Sequence, residues 1–319
     1  MVVSLVIPVF NEEENIPALW TRLLATAGSL ADCQFEAVFV DDGSRDRTAE
    51  RIQALAPGAN LSWKLVQFSR NFGHQIAISA GMRHADGDAL IFLDADLQDP
   101  PELIPVFLEK FCEGYEVVYG IRQHRKESLW LRFCFSAFYR LFNAIADRPM
   151  PLDVGDFSLI SKRVAELISE MPEQDRLIRG MRSWVGFRQI GIPYDRPGRA
   201  SGASRYGFAR HLTLALDGLF SFSKAPIRFS LTVGMTVMLV AGMYLAKVYL
   251  SALLFGSAAP QGWTSLITLG FIAAGANIVA TSIVGEYVCR IYFQTKKRPL
   301  YIVNKIRKGS KVISTQDDV

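Results

Sequence analysis

Two carboxylates at the end of an apolar run are the residues of this chain best suited to chemistry. Asp94 and Asp96 follow directly on residues 89–93, which are all apolar. Positions i and i+2 of a strand point the same way, so both side chains would meet one ligand. Their hard oxygens suit Mg²⁺ or Mn²⁺, which keep open positions for substrate phosphates. A solvated acidic turn would look the same in isolation. An EF-hand is excluded, because its sixth position would be Asp99 and its twelfth Pro105.

Two further apolar runs end in polar residues in the same way. Residues 2–10 lead into a polar turn at Asn11, and residues 35–40 lead into Asp41 and Asp42. We therefore expect buried strands whose carboxyl ends form one ligand-binding edge of an open α/β sheet. No Gly-x-Gly-x-x-Gly and no Gly-x-x-x-x-Gly-Lys-Ser/Thr sequence follows these runs, which argues against a dinucleotide-binding fold and a P-loop fold.

Two long segments near the C-terminus are apolar enough to cross a membrane. Residues 229–255 carry a single charge, Lys247, and residues 263–285 carry none. Each reaches the ~20 residues that a transmembrane helix needs, although a pair of buried core helices would also be apolar. The short, uncharged linker 256–262 predicts a hairpin, and the basic residues flank it on both sides, so both termini are expected to be cytoplasmic. The flanking basic residues are Lys224, Arg228, Arg290, Lys296, Lys297, Arg298, Lys305, Arg307 and Lys308.

The overall composition agrees with a protein that works at a membrane. Hydrophobic residues make up 50% of the 319 positions, the mean hydropathy is +0.18 and the formal net charge is +4. The basic residues cluster beside the apolar segments, which suits an anionic membrane surface better than a nucleic acid. Met1 runs directly into a predicted strand, so no signal peptide is expected. The four cysteines lack metal-binding spacing and are expected to be free thiols.

Several motifs of the chain resemble those of family-2 glycosyltransferases with the GT-A fold. They are VIPVFNEEENI, VDDGSRDRT, SRNFGHQIAISAGMRHADGD and FLDADLQDPPE. Within that family the chain resembles the polyisoprenyl-phosphate glycosyltransferases, which include dolichyl-phosphate mannose synthase. The later stretches RGMRSWVGFRQIGIPYDRPGR, GASRY, DGLFSFSKAPI and VGEYVCRIYFQTKKRPLYIV are most similar to the bactoprenol (undecaprenyl-phosphate) glucosyltransferases.

The resemblance implies an α/β protein, in which a GT-A domain with a Rossmann-like mixed sheet precedes a C-terminal two-helix transmembrane hairpin. The expected parts are a glycosyltransferase domain at 1–198, an amphipathic juxtamembrane region at 199–228, two transmembrane helices at 229–289 and a cytoplasmic tail at 290–319. Residues 310–319 are polar and are expected to be disordered. Small residues of the second segment would permit close helix packing in a homo-oligomer. They are Gly270, Ala273, Ala274 and Gly275.

The same resemblance assigns the donor side of the site. It implies that Asp94, Asp96 and Gln98 bind Mg²⁺ or Mn²⁺. Helix capping is the alternative role for Asp41 and Asp42, because Asp-Gly-Ser before a helix is also good cap chemistry. The residues expected to contact the nucleotide-sugar are Pro8, Phe10, Glu12, Asp41, Asp42, Asp94, Ala95 and Asp96.

On the acceptor side, Asp156 lies in a Gly-Asp-Phe segment that resembles the one holding the family's catalytic base. An acceptor phosphate has a second pKa of about 6 and is already largely ionised, so Asp156 would alternatively orient the sugar. His74, which follows Arg-Asn-Phe-Gly, is interpreted as a hydrogen-bonding loop residue outside the catalytic set. The residues expected to bind the acceptor phosphate are Arg122, Arg132, Arg199 and Arg205.

The resemblance implies an inverting transferase that moves a sugar, most simply glucose from UDP-glucose, to undecaprenyl phosphate. The reaction would occur on the cytoplasmic face of the bacterial inner membrane, in which the protein is multi-pass; other UDP-sugars and GDP-mannose stay open as donors. A processive polysaccharide synthase is an alternative, but it would carry Gln-x-x-Arg-Trp where residues 181–184 read Met-Arg-Ser-Trp. A membrane scaffold that binds the nucleotide-sugar without turnover is the third hypothesis.

Overall fold

The computed structural model describes residues 1–123, 154–195, 262–309 and 311–314, together with scattered helical positions between 232 and 254. The chain divides into two compact units. The first comprises Met1–Tyr139, Met150–Gly207 and Arg298–Val319, and the second comprises Arg140–Pro149 and Phe208–Lys297. Three of the predicted acceptor residues lie outside the described residues, as does the whole of the predicted juxtamembrane region 199–228. These three are Arg132, Arg199 and Arg205.

Nine strands of the described residues form one mixed sheet, which confirms the predicted α/β class. They are β1 (Val2–Val9), β2 (Gln34–Asp41), β3 (Leu61–Phe68), β4 (Ala89–Phe92), β5 (Val117–Gln123), β6 (Val154–Ser161), β7 (Gln189–Asp195), β8 (Val303–Lys308) and β9 (Lys311–Ser314). Their order across the sheet is β7-β5-β6-β4-β1-β2-β3-β8-β9. Strands β4, β1, β2 and β3 run parallel, whereas β6 is antiparallel to both β4 and β5.

Helices connect most of these strands. They are α1 (Ile16–Gly28), α2 (Thr48–Gln53), α3 (His74–His84), α4 (Ile104–Cys112), α5 (Lys162–Glu170), α6 (Ile178–Val185) and α7 (Trp263–Thr295), and a short 3₁₀ helix at Pro101–Leu103 precedes α4. The start of α5 has a clear local cause, because Ser161 Oγ accepts the N–H of Val164 at 3.2 Å. This side-chain bond satisfies one of the N–H groups that the first turn of a helix leaves unpaired.

The sheet is buried on both faces, which explains why its strands read as nearly continuous apolar runs. On β1, Leu5 and Ile7 belong to the core cluster that contains Leu19 of α1, whereas Val6 belongs to the cluster that contains Ile78 of α3. All five side chains are at most 1% exposed. Burying a side chain of this size stabilises the fold by about 1.5–3 kcal/mol. The two helical layers therefore hold the central strands, and with them the loops at the strand ends.

The segment after the apolar region adds two strands to the sheet, whereas the sequence predicted a C-terminal tail; the cytoplasmic location of this segment stays a prediction. Strand β8 pairs antiparallel with β3, and β9 pairs antiparallel with β8. Without them β3 would expose a row of unpaired N–H and C=O groups. Val303 and Ile306 pack against the core, and the ring of Tyr301 stacks on Phe68 at 5.0 Å. The prediction of disorder is therefore wrong for Lys311–Ser314: it rested on the polar composition of residues 310–319, whereas these four residues pair with β8.

One helix of the described residues, α7 in the second unit, is long and apolar enough by length and composition to cross a membrane. Its stretch Ile272–Thr295 has a mean hydropathy of 1.4 and is not buried. At about 1.5 Å per residue, a membrane core of ~30 Å needs ~20 residues, so this length suffices. The described positions between 232 and 254 are helical, but the linker lies almost wholly outside the described residues. The two-helix hairpin therefore stays a prediction.

We expect the buried ion pair of Lys64 to be important for stability. Its Nζ lies 3.0 Å from Glu36 and 2.9 Å from Asp86, and it donates to the carbonyl of His84 at 2.7 Å. Lys64→Ala would leave the Glu36 carboxylate, which is 7% exposed, without its counter-ion. Loss of one partner from a buried pair typically costs about 3–5 kcal/mol.

Urea unfolding of the full chain in detergent micelles measures this loss. The control is Lys110→Ala, which removes a pair with Glu113 on the exposed face of α4. Exposed pairs contribute little, so the control should unfold like the wild type. Equal midpoints for both variants would contradict the assignment.

Candidate active site

The carboxyl ends of the parallel strands bring the predicted donor residues to one edge of the sheet. Strands β1 and β2 pair along their whole length and end together at Val9 and Asp41, and β4 runs parallel to β1 on its other side. The loops that begin after β1, β2 and β4 are therefore neighbours, and the last of them carries Asp94. Pro8 is buried in β1, whereas Phe10 is 37% exposed at the beginning of its loop.

Hydrogen bonds join the loop after β1 to the loop after β2. The N–H of Asn11 donates to Ser44 Oγ at 3.0 Å, and the Asn11 side chain accepts the N–H of Arg45 at 2.8 Å. The N–H of Glu12 donates to Thr48 Oγ1 at 2.8 Å. Asn11 has φ of 55°, a left-handed conformation that asparagine tolerates better than most residues. These hydrogen bonds hold the two loops together on the predicted donor side of the site.

Asp41 and Asp42 are each 3% exposed and bond to backbone N–H groups. Asp41 Oδ1 accepts from Ser44 at 2.9 Å, and the two oxygens of Asp42 accept from Phe72 at 2.6 Å and Gly73 at 2.9 Å. Burial raises the pKa of Asp42, although its two backbone hydrogen bonds oppose the shift. Asp42 therefore organises the loop that leads into α3. Contact of either aspartate with the nucleotide-sugar stays a prediction.

Gly43 allows the loop after β2 to touch the loop after β3. Its φ is 72°, and a Cβ there would lie 2.6 Å from the carbonyl carbon of Arg70. Only glycine combines this conformation with this approach. The same loop continues to Asp46, whose Oδ1 accepts the N–H of Thr48 at 3.0 Å. The side chain that bonds the first N–H of α2 is therefore Asp46, rather than either of the two preceding aspartates.

The loop after β4 holds its two carboxylates in a tight turn. The N–H of Gln98 donates to Asp96 Oδ1 at 3.1 Å, and the N–H of Asp94 donates to Asp99 Oδ2 at 3.4 Å. Ala95, between the two carboxylates, is 4% exposed. Asp99 itself is 1% exposed, and its bond to the N–H of Asp94 fixes the turn to the protein interior. Asp94 and Asp96 are thus presented from one short, internally bonded segment.

The carboxylates of Asp94 and Asp96 fit a divalent cation whose remaining ligands come from a substrate. Mg²⁺ is commonly held by one or two carboxylates, with phosphate oxygens and waters completing the octahedron. Within the described residues no group of three His, Cys, Asp or Glu side chains could enclose a metal ion. Asp94 and Asp96 therefore suit a cation that binds together with a phosphorylated donor, not a closed structural site. The role of the Gln98 side chain as a third ligand stays a prediction.

Arg122 is the predicted acceptor residue that the described part of the chain includes. Its Nε donates to Tyr194 Oη at 3.4 Å, and that hydroxyl donates to Asp99 Oδ1 at 3.0 Å. Burial and the charge of Asp99 raise the pKa of Tyr194 to about 12, so the phenol keeps its proton. A Cβ on Gly155 would lie 2.5 Å from Arg122 Nη2. Glycine at this position therefore lets the guanidinium lie against β6, next to Asp156.

His74 is the residue that the sequence interpretation left out of the site. Its Nε2 lies 3.4 Å from Asp156 Oδ2 and 3.6 Å from Asp94 Oδ1. Gln75 Nε2 also donates to Asp156 Oδ2, at 2.8 Å. Because both neighbours of Nε2 are carboxylates, this nitrogen carries a proton. A signal was present in the sequence: His74 follows β3, a fourth parallel strand that ends at the same edge.

The pKa values of the pair shift in opposite directions. Desolvation lowers the pKa of His74, but the hydrogen bond to Asp156 and the charge of Asp94 outweigh it and raise the pKa to about 9. Burial alone would raise the pKa of Asp156, but His74 holds it well below its usual range, together with Arg179 and Arg182. The His74 side chain is 42% exposed, so solvent screens part of this interaction.

We expect the pair to make stability depend on pH. The pKa of His74 is raised from 6.5 to about 9, so its contribution is complete below pH 6.5 and is lost as the pH rises through 9. The pKa of Asp156 is lowered from 3.8, so its contribution is lost only in strong acid. Thermal unfolding in EDTA, at about pH 7 and about pH 9.5, measures the first effect.

The wild type should lose more stability across this interval than His74→Gln. His84→Gln is the control, because burial lowers the pKa of His84 and the residue does not titrate in this interval. It should keep the wild-type slope. Identical slopes for all three proteins would mean that the ion pair is absent in solution.

The chain is similar to curated proteins over nearly its whole length. It is 40% identical over 303 residues to the uncharacterized glycosyltransferase YkcC of Bacillus subtilis (strain 168), which covers 95% of this chain and 93% of the relative. It is 39% identical over 309 residues to the prophage bactoprenol glucosyl transferase homolog of Escherichia coli (strain K12), covering 97% and 100%. The bactoprenol glucosyl transferase of Shigella phage SfX is 38% identical over 309 residues, with the same coverage.

Likeness to solved structures is more distant. The glucosyl-3-phosphoglycerate synthase from Mycobacterium tuberculosis, in complex with Mn²⁺, uridine diphosphate and phosphoglyceric acid, matches with a TM-score of 0.46 and 18% identity, over 68% of this chain and 77% of that one. A match at this level carries no argument about the site. The sequence profile of glycosyl transferase family 2 matches residues 4–168, which is more than half of the chain. The chain therefore belongs to glycosyl transferase family 2, as its motifs predicted.

Proposed function

We propose that this protein transfers a sugar, with inversion, from a UDP-sugar to a polyisoprenyl phosphate. The observation that carries the proposal is the contact of His74 Nε2 with both Asp94 and Asp156. A transferase must bring its donor and its acceptor together, and these carboxylates belong to the two predicted halves of such a site. Relatives named bactoprenol glucosyl transferase support this acceptor class and favour glucose as the transferred sugar.

On the donor side, Asp94 and Asp96 would hold the Mg²⁺ or Mn²⁺ ion that binds with the diphosphate. When bound, the ion acts as a Lewis acid that neutralises charge on the departing nucleoside diphosphate.

Arg122, which the sequence predicts to bind the acceptor phosphate, is half-buried. Burial lowers its pKa, but Tyr194 and the carboxylates of Asp99 and Asp94 outweigh this effect and keep the guanidinium protonated. Such preorganised charge would bind an acceptor phosphate without reorganisation of solvent.

On the acceptor side, a phosphate oxygen attacks the anomeric carbon while the bond from that carbon to the UDP oxygen breaks. The carbon is attacked from the face opposite UDP, so its configuration inverts. The attacking phosphate is largely ionised at neutral pH, its second pKa being about 6, and needs no strong base. Asp156, whose pKa is held low, is a weak base. We therefore assign Asp156 to orienting the reactants and to stabilising positive charge at the anomeric carbon.

The acceptor requires that the reaction take place at a membrane surface. Lifting the phosphate away would expose its isoprenoid tail, at a cost of about 0.8 kcal/mol for each CH₂. Helix α7 has the length and composition of a membrane anchor. We place the protein in the bacterial inner membrane as a multi-pass protein, with both termini and the sheet in the cytoplasm.

Loss of the metal ligand should abolish turnover. In Asp96→Asn, transfer from UDP-glucose to undecaprenyl phosphate should fall by roughly two orders of magnitude or more, because the Lewis-acid contribution is several kcal/mol. Radiolabelled donor followed by lipid extraction measures the product, and wild-type protein in EDTA should fail equally.

Asp32→Asn, at an exposed position between α1 and β2, serves as the charge control and should keep full activity. Full activity of Asp96→Asn in EDTA would remove the metal assignment. A wild type that binds UDP-glucose but never turns over would instead favour the scaffold hypothesis.

Chemical labelling of single cysteines tests the predicted membrane topology. On a background without the native cysteines, Ser257→Cys lies in the linker and Thr315→Cys lies near the C-terminus. An impermeant maleimide added to intact cells should label the first and spare the second, because the basic flanks stay in the cytoplasm. Permeabilised cells should show labelling of both. The reverse pattern in intact cells would overturn the topology.

A further inference from the structure

Arg179 is a cation beside Asp156 to which the proposed reaction has so far given no role. It is the second residue of α6, whose start is fastened to the site by Gln75. The Oε1 of Gln75 accepts the N–H of Ile178 at 2.8 Å, while its Nε2 donates to Asp156 Oδ2 at 2.8 Å. One amide group thus holds the beginning of α6 against the carboxylate. Burial raises the pKa of Asp156, and His74, Arg179 and Arg182 together lower it.

The two arginines of α6 differ in what they bond. Arg182 is 3% exposed, and its guanidinium donates to Ser158 Oγ and to the carbonyl of Gly155, so it is committed to β6. Arg179 is half-buried, and within the described residues its side chain makes no hydrogen bond or ion pair. A guanidinium has five donors in a planar fork. Those of Arg179 are therefore available to a ligand at the Asp156 side of the site.

The charges around Asp156 favour an anionic ligand. Two guanidinium groups lie on this side of the site. Arg182 bonds to Ser158 and Gly155, which are close to Asp156 along β6. Arg179 lies at the start of the helix that Gln75 ties to Asp156. Excess charge in a partly buried site is costly unless a counter-ion binds. The donor diphosphate has its own partner in the proposed cation at Asp94 and Asp96. The positive excess on the Asp156 side therefore suits a second phosphate group.

We propose that Arg179 binds the phosphate group of the acceptor. Its fork matches the geometry of phosphate oxygens and would form charge-assisted hydrogen bonds to them. Asp156 and Gln75 then act as positioning residues, since they fix the start of α6 and thereby Arg179. The identity of the acceptor rests on the proposed function, whereas the phosphate site rests on the contacts of α6.

The test measures phosphate binding without requiring turnover. The full chain in detergent, saturated with UDP and Mg²⁺ to fill the donor side, is titrated with farnesyl phosphate and with farnesol. Because the two probes differ only in the phosphate group, the difference between their affinities measures the contribution of that group to binding. In Arg179→Gln this difference should shrink by about tenfold or more, with UDP affinity and thermal stability unchanged. Arg179→Lys should retain part of it, and Arg163→Gln, an exposed arginine on α5, should retain all of it.

Each outcome decides the proposal. An undiminished preference for farnesyl phosphate in Arg179→Gln would overturn it, as would a wild type with no such preference. Loss of UDP affinity in parallel would place Arg179 on the donor side and overturn it as well. If the preference depends on Arg179 but no lipid product forms from any UDP-sugar, the phosphate site stands and the proposed reaction fails.

Discussion

The Nε2–H group of the His74 side chain lies between two carboxylates that belong to different strands or their loops. Asp94 follows β4, and Asp156 is the third residue of β6. Two carboxylates held so near each other would repel, and one would take up a proton unless a cation lay between them. The imidazole allows both to stay ionised. The surrounding bonds support it: Asp42 fixes the loop before His74, and Gln75 ties Asp156 to α6.

Strand direction decides which residues can take part in this contact. Strands β1, β2, β3 and β4 are parallel, so each delivers its following loop to the same edge. Strand β6 is antiparallel to β4, so it delivers its beginning there instead. Asp156 can therefore face Asp94 although one lies near the start of a strand and the other just beyond an end. A purely parallel sheet would have carried Asp156 to the opposite edge.

The same geometry explains what could be predicted from the sequence. The apolar runs before Asp41 and Asp94 identify buried strands because both faces of the sheet are covered, and the carboxylates mark their ends. The position of His74 after β3 indicates that it lies at the same edge, but its contact with Asp156 could not be predicted, since it joins positions far apart in the chain. The neighbouring bond from Gln75 to Asp156 spans 81 residues. Strand β8 was missed because its two apolar residues, Val303 and Ile306, are three positions apart and do not give the alternation that predicts a half-buried strand.

The return of β8 and β9 to the sheet makes the first unit discontinuous along the chain. Its last strands are separated from β7 by the whole apolar region that contains α7. During synthesis, β3 therefore stays an unpaired edge strand until the ribosome has synthesised the hydrophobic helix and then β8. The sheet of the first unit can therefore be completed only after α7 has been synthesised. Cutting the chain before the apolar region to obtain a soluble enzyme would also remove the two strands that protect this margin from aggregation.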